Sequence, residues 1–157
     1  IYCHIVFGTK NHKKNIPDAW CEELYRYIWG IIKKNGCTLY QINGSADHIH
    51  LLTDLNPSIS LANFVKEIKA ASSIWLKHQP HFNQFEAWAE GYGAFSISHC
   101  GRDNVISYIK NQKEHHKTEL FIDEYRRLLK ESGVKFEEKY LPSPPHPNLL
   151  AHVSKVY

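Results

Sequence analysis

The order of strand-like and helix-like segments in the first hundred residues is the feature that most restricts the fold. Residues 1–8 are rich in β-branched and aromatic side chains, and a segment with the apolar spacing of an amphipathic helix follows. Residues 37–44 and 48–55 are predicted strands joined by a short turn, and a second helical segment and a fourth strand come after them. This order predicts an α+β fold, a ferredoxin-like sandwich in which two helices cover an antiparallel four-stranded sheet.

The two covering helices are predicted over residues 16–37 and 58–79, and the fourth strand over residues 92–99. The second helix places one stripe of apolar and small side chains toward the sheet. The members of this stripe are Leu61, Phe64, Val65, Ile68, Ala71, Ser72 and Trp75. Because both helices belong to the same face in this fold, the other face of the sheet is expected to stay open.

Two further helices and a tail complete the predicted organisation. Helical patterns extend over residues 102–117 and 118–133, and Gly133 ends the second. The proline-rich residues 134–157 predict an extended tail. We therefore expect a single domain over residues 1–133.

Composition limits the class of protein. No run of about 18 apolar residues is present to span a membrane, and no secretion signal opens the chain, which favours the cytoplasm. The four cysteines are scattered without C-x-x-C spacing, so reduced and mostly buried thiols are expected. The net charge of +3 and the eleven histidines permit nucleic-acid binding without requiring it.

The stretch ADHIHLLTDL places two histidines on one predicted strand. Successive strand side chains point to opposite faces, so His48 and His50 share the open face. Ile49 and Leu51 share the other face and are expected in the core. Two imidazoles can contact a metal but cannot hold it well alone. Taken alone, the pair is better explained by two partly exposed or hydrogen-bonded imidazoles without a metal. Leu52 at the next alternate position disfavours nucleotide hydrolases that use three alternating histidines.

A tyrosine and an amide share one face of the helix predicted over residues 102–117. Tyr108 and Gln112 lie four residues apart, about one helical turn. A core tyrosine beside a solvated glutamine would also explain this helix taken alone. The combination with the paired histidines is what favours a site.

Five longer segments of the chain carry a further likeness, to a known family. They are YCHIVFGTK at 2–10, DHIHLL at 47–52, LANFVKEIKAASSIWL at 61–76, GYGAFSIS at 91–98 and YIKNQKEHH at 108–116. In this order they resemble the single-tyrosine HUH transposases of bacterial insertion sequences and their REP-associated relatives.

The resemblance implies a site and a substrate. It implies that Tyr108 is the nucleophile and that His48, His50 and Gln112 hold a divalent metal. It also implies single-stranded or hairpin DNA as substrate, a 5′-phosphotyrosine intermediate, and a homodimer in which the tyrosine helix of one subunit can serve the histidines of the other. A protein acting on bacterial DNA would work in the cytoplasm, at the nucleoid.

These residue types suit such chemistry. A phenol with a pKa of about 10 is protonated at neutral pH, and a cation on a phosphate oxygen would offset the charge that develops during its attack. Nitrogen and oxygen ligands suit Mg²⁺ or Mn²⁺, and Zn²⁺ could occupy the site without supporting turnover. Because each chain carries one nucleophile, cutting two DNA ends favours a dimer.

DNA contacts are predicted at several cationic positions. Lys66 and Lys69 lie on the polar side of the second helix, and Arg102 lies near the start of the tyrosine helix, where phosphate binding is favourable. His116 is a candidate for phosphate contact or for support of the site, and a solvent-facing position is an equal alternative. Candidate rings for base stacking, of which at least half are expected in the core, are Phe82, Phe85, Trp88 and Tyr92.

Two other functions fit parts of the pattern. One is a non-catalytic nucleic-acid-binding regulator on the same fold, which would need none of the four site residues intact. The other is a metal-dependent phosphoesterase, in which water attacks the phosphate and Tyr108 is structural. A covalent protein–DNA adduct that depends on Tyr108 separates strand transfer from both.

Overall fold

A computed structural model of the chain describes residues 1–138 and Leu141. Most of the predicted tail, residues 139–140 and 142–157, lies outside the described residues. The strands are β1 (Tyr2–Gly8), β2 (Leu39–Ser45), β3 (His48–Asp54) and β4 (Gly93–Ile97). The α-helices are α1 (Cys21–Lys34), α2 (Leu61–Lys77), α3 (Arg102–Lys110), α4 (Gln112–His115) and α5 (Phe121–Glu131).

The four strands form one antiparallel sheet in the order β2-β3-β1-β4. The two central strands, β1 and β3, belong to different strand-helix-strand units, as the predicted sandwich requires. The expected α+β class, with a four-stranded antiparallel sheet covered by helices, is therefore confirmed.

Helices α1 and α2 pack on one face of the sheet and enclose the main core. Ile49 and Leu51 of β3 are fully buried there, as alternation along the strand predicted. Ser60 caps the start of α2, because its hydroxyl accepts a hydrogen bond from the backbone N–H of Asn63 at 3.2 Å. The amphipathic spacing of both helices thus determines which side of the sheet they cover.

The opposite face of the sheet is covered, so the expectation of an open face is wrong. Val6 of β1 and Phe95 of β4 project from this face and form a second core with apolar side chains of α5. The other buried members of this second core are Phe121, Tyr125, Leu128, Leu129 and Leu141. Because helices α3, α4 and α5 lie on this side, His48 and His50 are fully buried instead of facing solvent.

The structure also tests the predicted C-terminal helices, the cysteines and the aromatic rings. The helix predicted over 102–117 is divided at Asn111 into α3 and α4, and the helix predicted over 118–133 begins only at Phe121. The cysteines are free thiols, three buried and Cys100 exposed, as expected. The four candidate rings for base stacking, of which at least half were expected in the core, are all buried in the main core and leave no stacking surface: Phe82, Phe85, Trp88 and Tyr92.

Within residues 1–138, none of the helices has both the length and the apolar character needed to cross a membrane.

Candidate metal and nucleophile site

The two histidines of β3 point toward one centre, and each ring is oriented by a second partner. His48 donates from Nδ1 to the carboxylate of Asp47 at 2.7 Å. Nδ1 of His50 lies 2.8 Å from Nε2 of the buried His4 on β1. With Nδ1 engaged in each ring, both Nε2 atoms are presented to the same space, which is how histidines are commonly oriented toward a metal.

Helix α4 brings two more polar groups to this centre. The side-chain oxygen of Gln112 lies 3.2 Å from Nε2 of His48 and 3.1 Å from Nε2 of His116. His116 is almost fully buried, with 8% of its side chain exposed. Phosphate contact, support of the site and solvent exposure were the alternatives for His116. The structure places it in the interior, beside the paired histidines.

Glu124 on α5 is the central residue that the sequence argument missed. Its Oε1 atom lies 2.8 Å from Nε2 of His50, 3.0 Å from Nε2 of His116 and 3.4 Å from Nε2 of His48. Its Oε2 atom accepts a hydrogen bond from the amide of Gln112 at 2.9 Å. The carboxylate is fully buried and joins all the groups of the centre.

A sequence signal for Glu124 does exist. The residue lies between Phe121 and Leu128 on the apolar stripe of α5, at a helical position where a core side chain is expected. A carboxylate is almost never fully buried without a partner. An acidic residue on the buried stripe of an amphipathic helix therefore indicates a polar partner in the interior.

The donor atoms fit a divalent metal ion. One ligand atom each from His48, His50, His116 and Glu124 lies within 4.8 Å of all the others, and the oxygen of Gln112 adjoins them. Imidazole nitrogens and carboxylate oxygens are ligands of divalent first-row metals. The cluster could hold such an ion, and its donor types do not single out one metal.

Burial and hydrogen bonding shift the pKa values of these groups in opposite directions. Burial alone would raise the pKa of Glu124, but hydrogen bonds from His116, His48 and His50 lower it well below its usual range. Burial also opposes charge on His48, yet the hydrogen bonds to Asp47 and Glu124 raise its pKa to about 9. Burial lowers the pKa of His50 to about 4. The centre therefore combines an ionised carboxylate with one imidazole, His48, that favours the charged form and another, His50, that favours the neutral form.

Tyr108 on α3 reaches the same centre within a single chain. Its hydroxyl donates a short hydrogen bond to Oε2 of Glu124 and accepts one from Arg127 at 2.9 Å. Burial and the neighbouring Glu124 raise the pKa of the phenol above its usual value, while Arg127 opposes this increase. The phenol is therefore protonated, and its proton already lies on the line to a carboxylate oxygen.

The two lysines predicted to contact DNA differ in their surroundings. Lys66 is exposed on α2. The ammonium group of Lys69 instead donates to the backbone carbonyls of Ala89 at 2.6 Å and Gly91 at 2.8 Å. Burial lowers the pKa of Lys69 to about 8. Lys69 thus ties α2 to the loop before β4, whereas Lys66 extends into solvent.

Arg102 lies at the first position of α3, beside two aromatic rings of the sheet. Its guanidinium carbon is 5.7 Å from the ring centroid of Tyr2 and 5.6 Å from that of Tyr40. It also forms a 3.4 Å ion pair with Asp103. Arg102 therefore presents a cation beside two aromatic rings at one end of the sheet.

The chain is similar to known transposases. Residues 1–112 match the family described as Transposase IS200 like. The transposases for insertion sequence element IS200 of Salmonella typhimurium strain LT2 and of Salmonella typhi are each 28% identical to the chain over 123 residues, covering 73% of it and 78% of the relative.

Two solved structures resemble the fold. A candidate transposase from Deinococcus radiodurans R1 has a TM-score of 0.53 and 28% identity, over 71% of this chain and 90% of that one. A REP-associated tyrosine transposase bound to a REP hairpin has a TM-score of 0.58 over 73% of this chain and 67% of that one. Its identity of 12% means that this second likeness concerns the fold alone.

Proposed function

The chain belongs to the IS200-like transposase family, and we propose that it cleaves and rejoins single-stranded DNA through a covalent 5′-phosphotyrosine on Tyr108. The observation that carries the proposal is the hydrogen bond between the hydroxyl of Tyr108 and Glu124, whose other oxygen adjoins His48 and His50. A metal site that only activated water would not need a phenol at this position.

The proposed metal ligands are His48, His50 and Gln112, and His116 and Glu124 extend this donor set. A bound Mg²⁺ or Mn²⁺ ion would offset the charge that develops on the scissile phosphate and hold it in line with the nucleophile. Oxygen ligands are preferred by Mg²⁺, so the imidazole of His116 shifts the expected preference toward Mn²⁺.

The proposed cleavage is a transesterification. The phenol oxygen of Tyr108 attacks phosphorus, the new oxygen–phosphorus bond forms, and the bond from phosphorus to the 3′ oxygen breaks. The phenol proton passes through Oε2 of Glu124, which already accepts it in a hydrogen bond, to the leaving 3′ oxygen, which becomes a 3′-hydroxyl. The covalent ester retains the energy of the broken bond, so a second 3′-hydroxyl can attack it and rejoin the strands without ATP.

We further propose that hairpin or single-stranded DNA is the substrate and that two copies of the chain act together. The REP hairpin bound by the structural neighbour supports a hairpin substrate. Each chain carries one Tyr108, so two DNA ends require two chains. With such a substrate the protein would act in the bacterial cytoplasm, at the nucleoid.

The test is a covalent adduct. The protein is incubated with hairpin-bearing single-stranded DNA and Mn²⁺ and analysed on a denaturing gel, with and without EDTA. We expect an adduct that EDTA and Tyr108→Phe each abolish. Tyr125→Phe is the matched control, because Tyr125 packs in the second core and should leave the adduct unchanged.

The other outcomes identify the rival functions. DNA hydrolysis that survives Tyr108→Phe would indicate a phosphoesterase in which water attacks. DNA binding without cleavage under every metal would indicate a regulator. Either result contradicts the proposed strand transfer.

A further inference from the structure

Arg127 contacts the atom that the proposed reaction uses as nucleophile. It lies on α5, about one turn after Glu124, and its Nη2 group donates to the hydroxyl of Tyr108 at 2.9 Å. Its guanidinium carbon also lies 5.6 Å from the centroid of the Tyr108 ring. The phenol oxygen therefore has a carboxylate on one side and a permanent cation on the other.

The position of Arg127 is fixed by two carboxylates. Its Nε and Nη2 groups each donate to an oxygen of Glu119 at 3.1 Å, and Nη1 donates to Glu131 at 3.4 Å. A guanidinium held in this two-point arrangement loses little freedom when it contacts a third group. With 36% of the side chain exposed, Arg127 lies where the buried centre meets solvent.

We propose that Arg127 is a catalytic residue that stabilises negative charge on the phenol oxygen of Tyr108, above all in the rejoining step. This inference rests on the proposed function. In rejoining, a 3′-hydroxyl oxygen forms a bond to phosphorus, and the bond from phosphorus to the Tyr108 oxygen breaks. The electron pair of the broken bond goes to the phenol oxygen, and the proton of the 3′-hydroxyl reaches that oxygen through Glu124.

The two neighbours of the phenol contribute differently to the two steps. During cleavage, Glu124 assists because the phenol has a proton to donate. In the covalent intermediate the phenol oxygen carries phosphorus and no proton, so this hydrogen bond to Glu124 is absent. Arg127 can still donate to the same oxygen, because a guanidinium keeps its protons throughout. Arg127 binds the phenol oxygen before cleavage more strongly than the less basic ester oxygen of the intermediate. Its loss therefore destabilises the starting state of cleavage together with the transition state, but in rejoining it destabilises mainly the transition state, so rejoining depends more on Arg127 than cleavage does.

The experiment measures both steps separately in the full chain. Cleavage is followed as single-turnover adduct formation, and rejoining as loss of isolated adduct after a 3′-hydroxyl strand is added. Removal of one preorganised donor to a developing anion typically costs about 10²–10³ in rate, and we expect a loss of that order in rejoining for Arg127→Gln, with a smaller loss in cleavage. Arg127→Lys, which keeps the charge and not the two-point geometry, should retain intermediate rates.

Arg126→Gln is the matched control. Arg126 is the adjacent arginine on α5, and it pairs with Asp123 and Glu138 instead of Tyr108. We expect near wild-type rates for this variant. Equal rejoining rates for the Arg127 and Arg126 variants would overturn the inference. In that case the proposed function would still stand, because it depends only on adduct formation by the wild type.

A second measurement separates charge stabilisation from a structural role. Incorporation of 3,5-difluorotyrosine at position 108 stabilises the phenolate through its fluorines, without help from the protein. We expect it to restore most of the rejoining rate of Arg127→Gln. A variant that is slow only because α5 is displaced would show no such recovery, and that result would also overturn the inference. Absence of any adduct in the wild type would instead overturn the proposed function.

Discussion

The burial of a charged side chain in this protein follows from the partners of its terminal atoms. Glu124 is a fully buried carboxylate, and it is tolerated because imidazole, amide and phenol groups surround both of its oxygens. Lys69 is half-buried for a similar reason, since two backbone carbonyls receive its protons. Lys66, three residues earlier on the same helix, is exposed. Two lysines one helical turn apart therefore have different surroundings.

Lys66 and Lys69 are expected to respond oppositely to substitution. Lys69→Met removes two charged hydrogen bonds, so we expect it to destabilise the protein by about 1–3 kcal/mol and to leave DNA affinity unchanged. Lys66→Met removes an exposed cation, so we expect weaker DNA binding at low salt and a stability change within about 0.5 kcal/mol. Thermal unfolding and fluorescence anisotropy with a single-stranded oligonucleotide measure the two effects. Loss of DNA affinity in Lys69→Met with unchanged stability would contradict this assignment.

At the scale of elements, the β2–β3 hairpin and helix α5 together build the centre. The hairpin is tightly packed at Gly44, where an added Cβ would lie 2.2 Å from the backbone oxygen of His48 and 3.0 Å from the Cα of Ile49. Helix α5 supplies Glu124 and Arg127, and its Phe121 ring stacks on His48 with centroids 4.2 Å apart. The elements that present these donor groups therefore also close the centre from solvent.

Gly44→Ala is expected to disturb the hairpin. The new methyl group would overlap backbone atoms of β3, so the strand that carries His48 has to move, at a cost of about 1–3 kcal/mol or more. We expect a lower free energy of unfolding in urea and weaker Mn²⁺ binding by calorimetry.

Gly30→Ala provides the control for this substitution. An added Cβ at Gly30, on the exposed side of α1, meets nothing within 4 Å. Alanine favours helix, so this change should stabilise the protein by about 0.5–1 kcal/mol and leave Mn²⁺ binding unchanged. Equal effects of the two substitutions would show that Gly44 does not limit the hairpin.

For the whole molecule, the main consequence is that both faces of the sheet are used for different purposes. One face packs against α1 and α2 and forms the main core. The other face packs against α3, α4 and α5 and encloses the polar centre beside a second apolar core. Because all the donor groups and Tyr108 meet within one chain, a single copy contains every proposed catalytic group.

A mixing experiment tests this arrangement. His48→Ala and Tyr108→Phe chains each lack one part of the site, and a mixture of the two would regain activity only if the tyrosine of one chain served the histidines of another. Since Tyr108 lies beside the histidines of its own chain, we expect no adduct from the mixture. Adduct formation by the mixture, and not by either variant alone, would show that the tyrosine helix is exchanged between subunits.

The local pattern of the sequence was sufficient for the sheet and for part of the site. Alternation along β3 placed Ile49 in the core and His48 and His50 together, and helical spacing placed Tyr108 near Gln112. These inferences succeed because side-chain direction in a strand or a helix depends only on neighbouring residues. The positions of Ile49 in the core and of the two histidines on one face are confirmed. The chemical roles of His48, His50, Tyr108 and Gln112 stay proposals.

Only the tertiary structure revealed that Glu124, His116 and Arg127 surround the same phenol and imidazoles. Their positions depend on how α5 docks through Phe121 onto the sheet face that the predicted sandwich, with both helices on one side, left open. Such docking is determined by packing between residues far apart in the chain, including Val6, and no local periodicity reports it. The sequence therefore determined which face carried the histidines, and long-range packing determined that this face became a buried site.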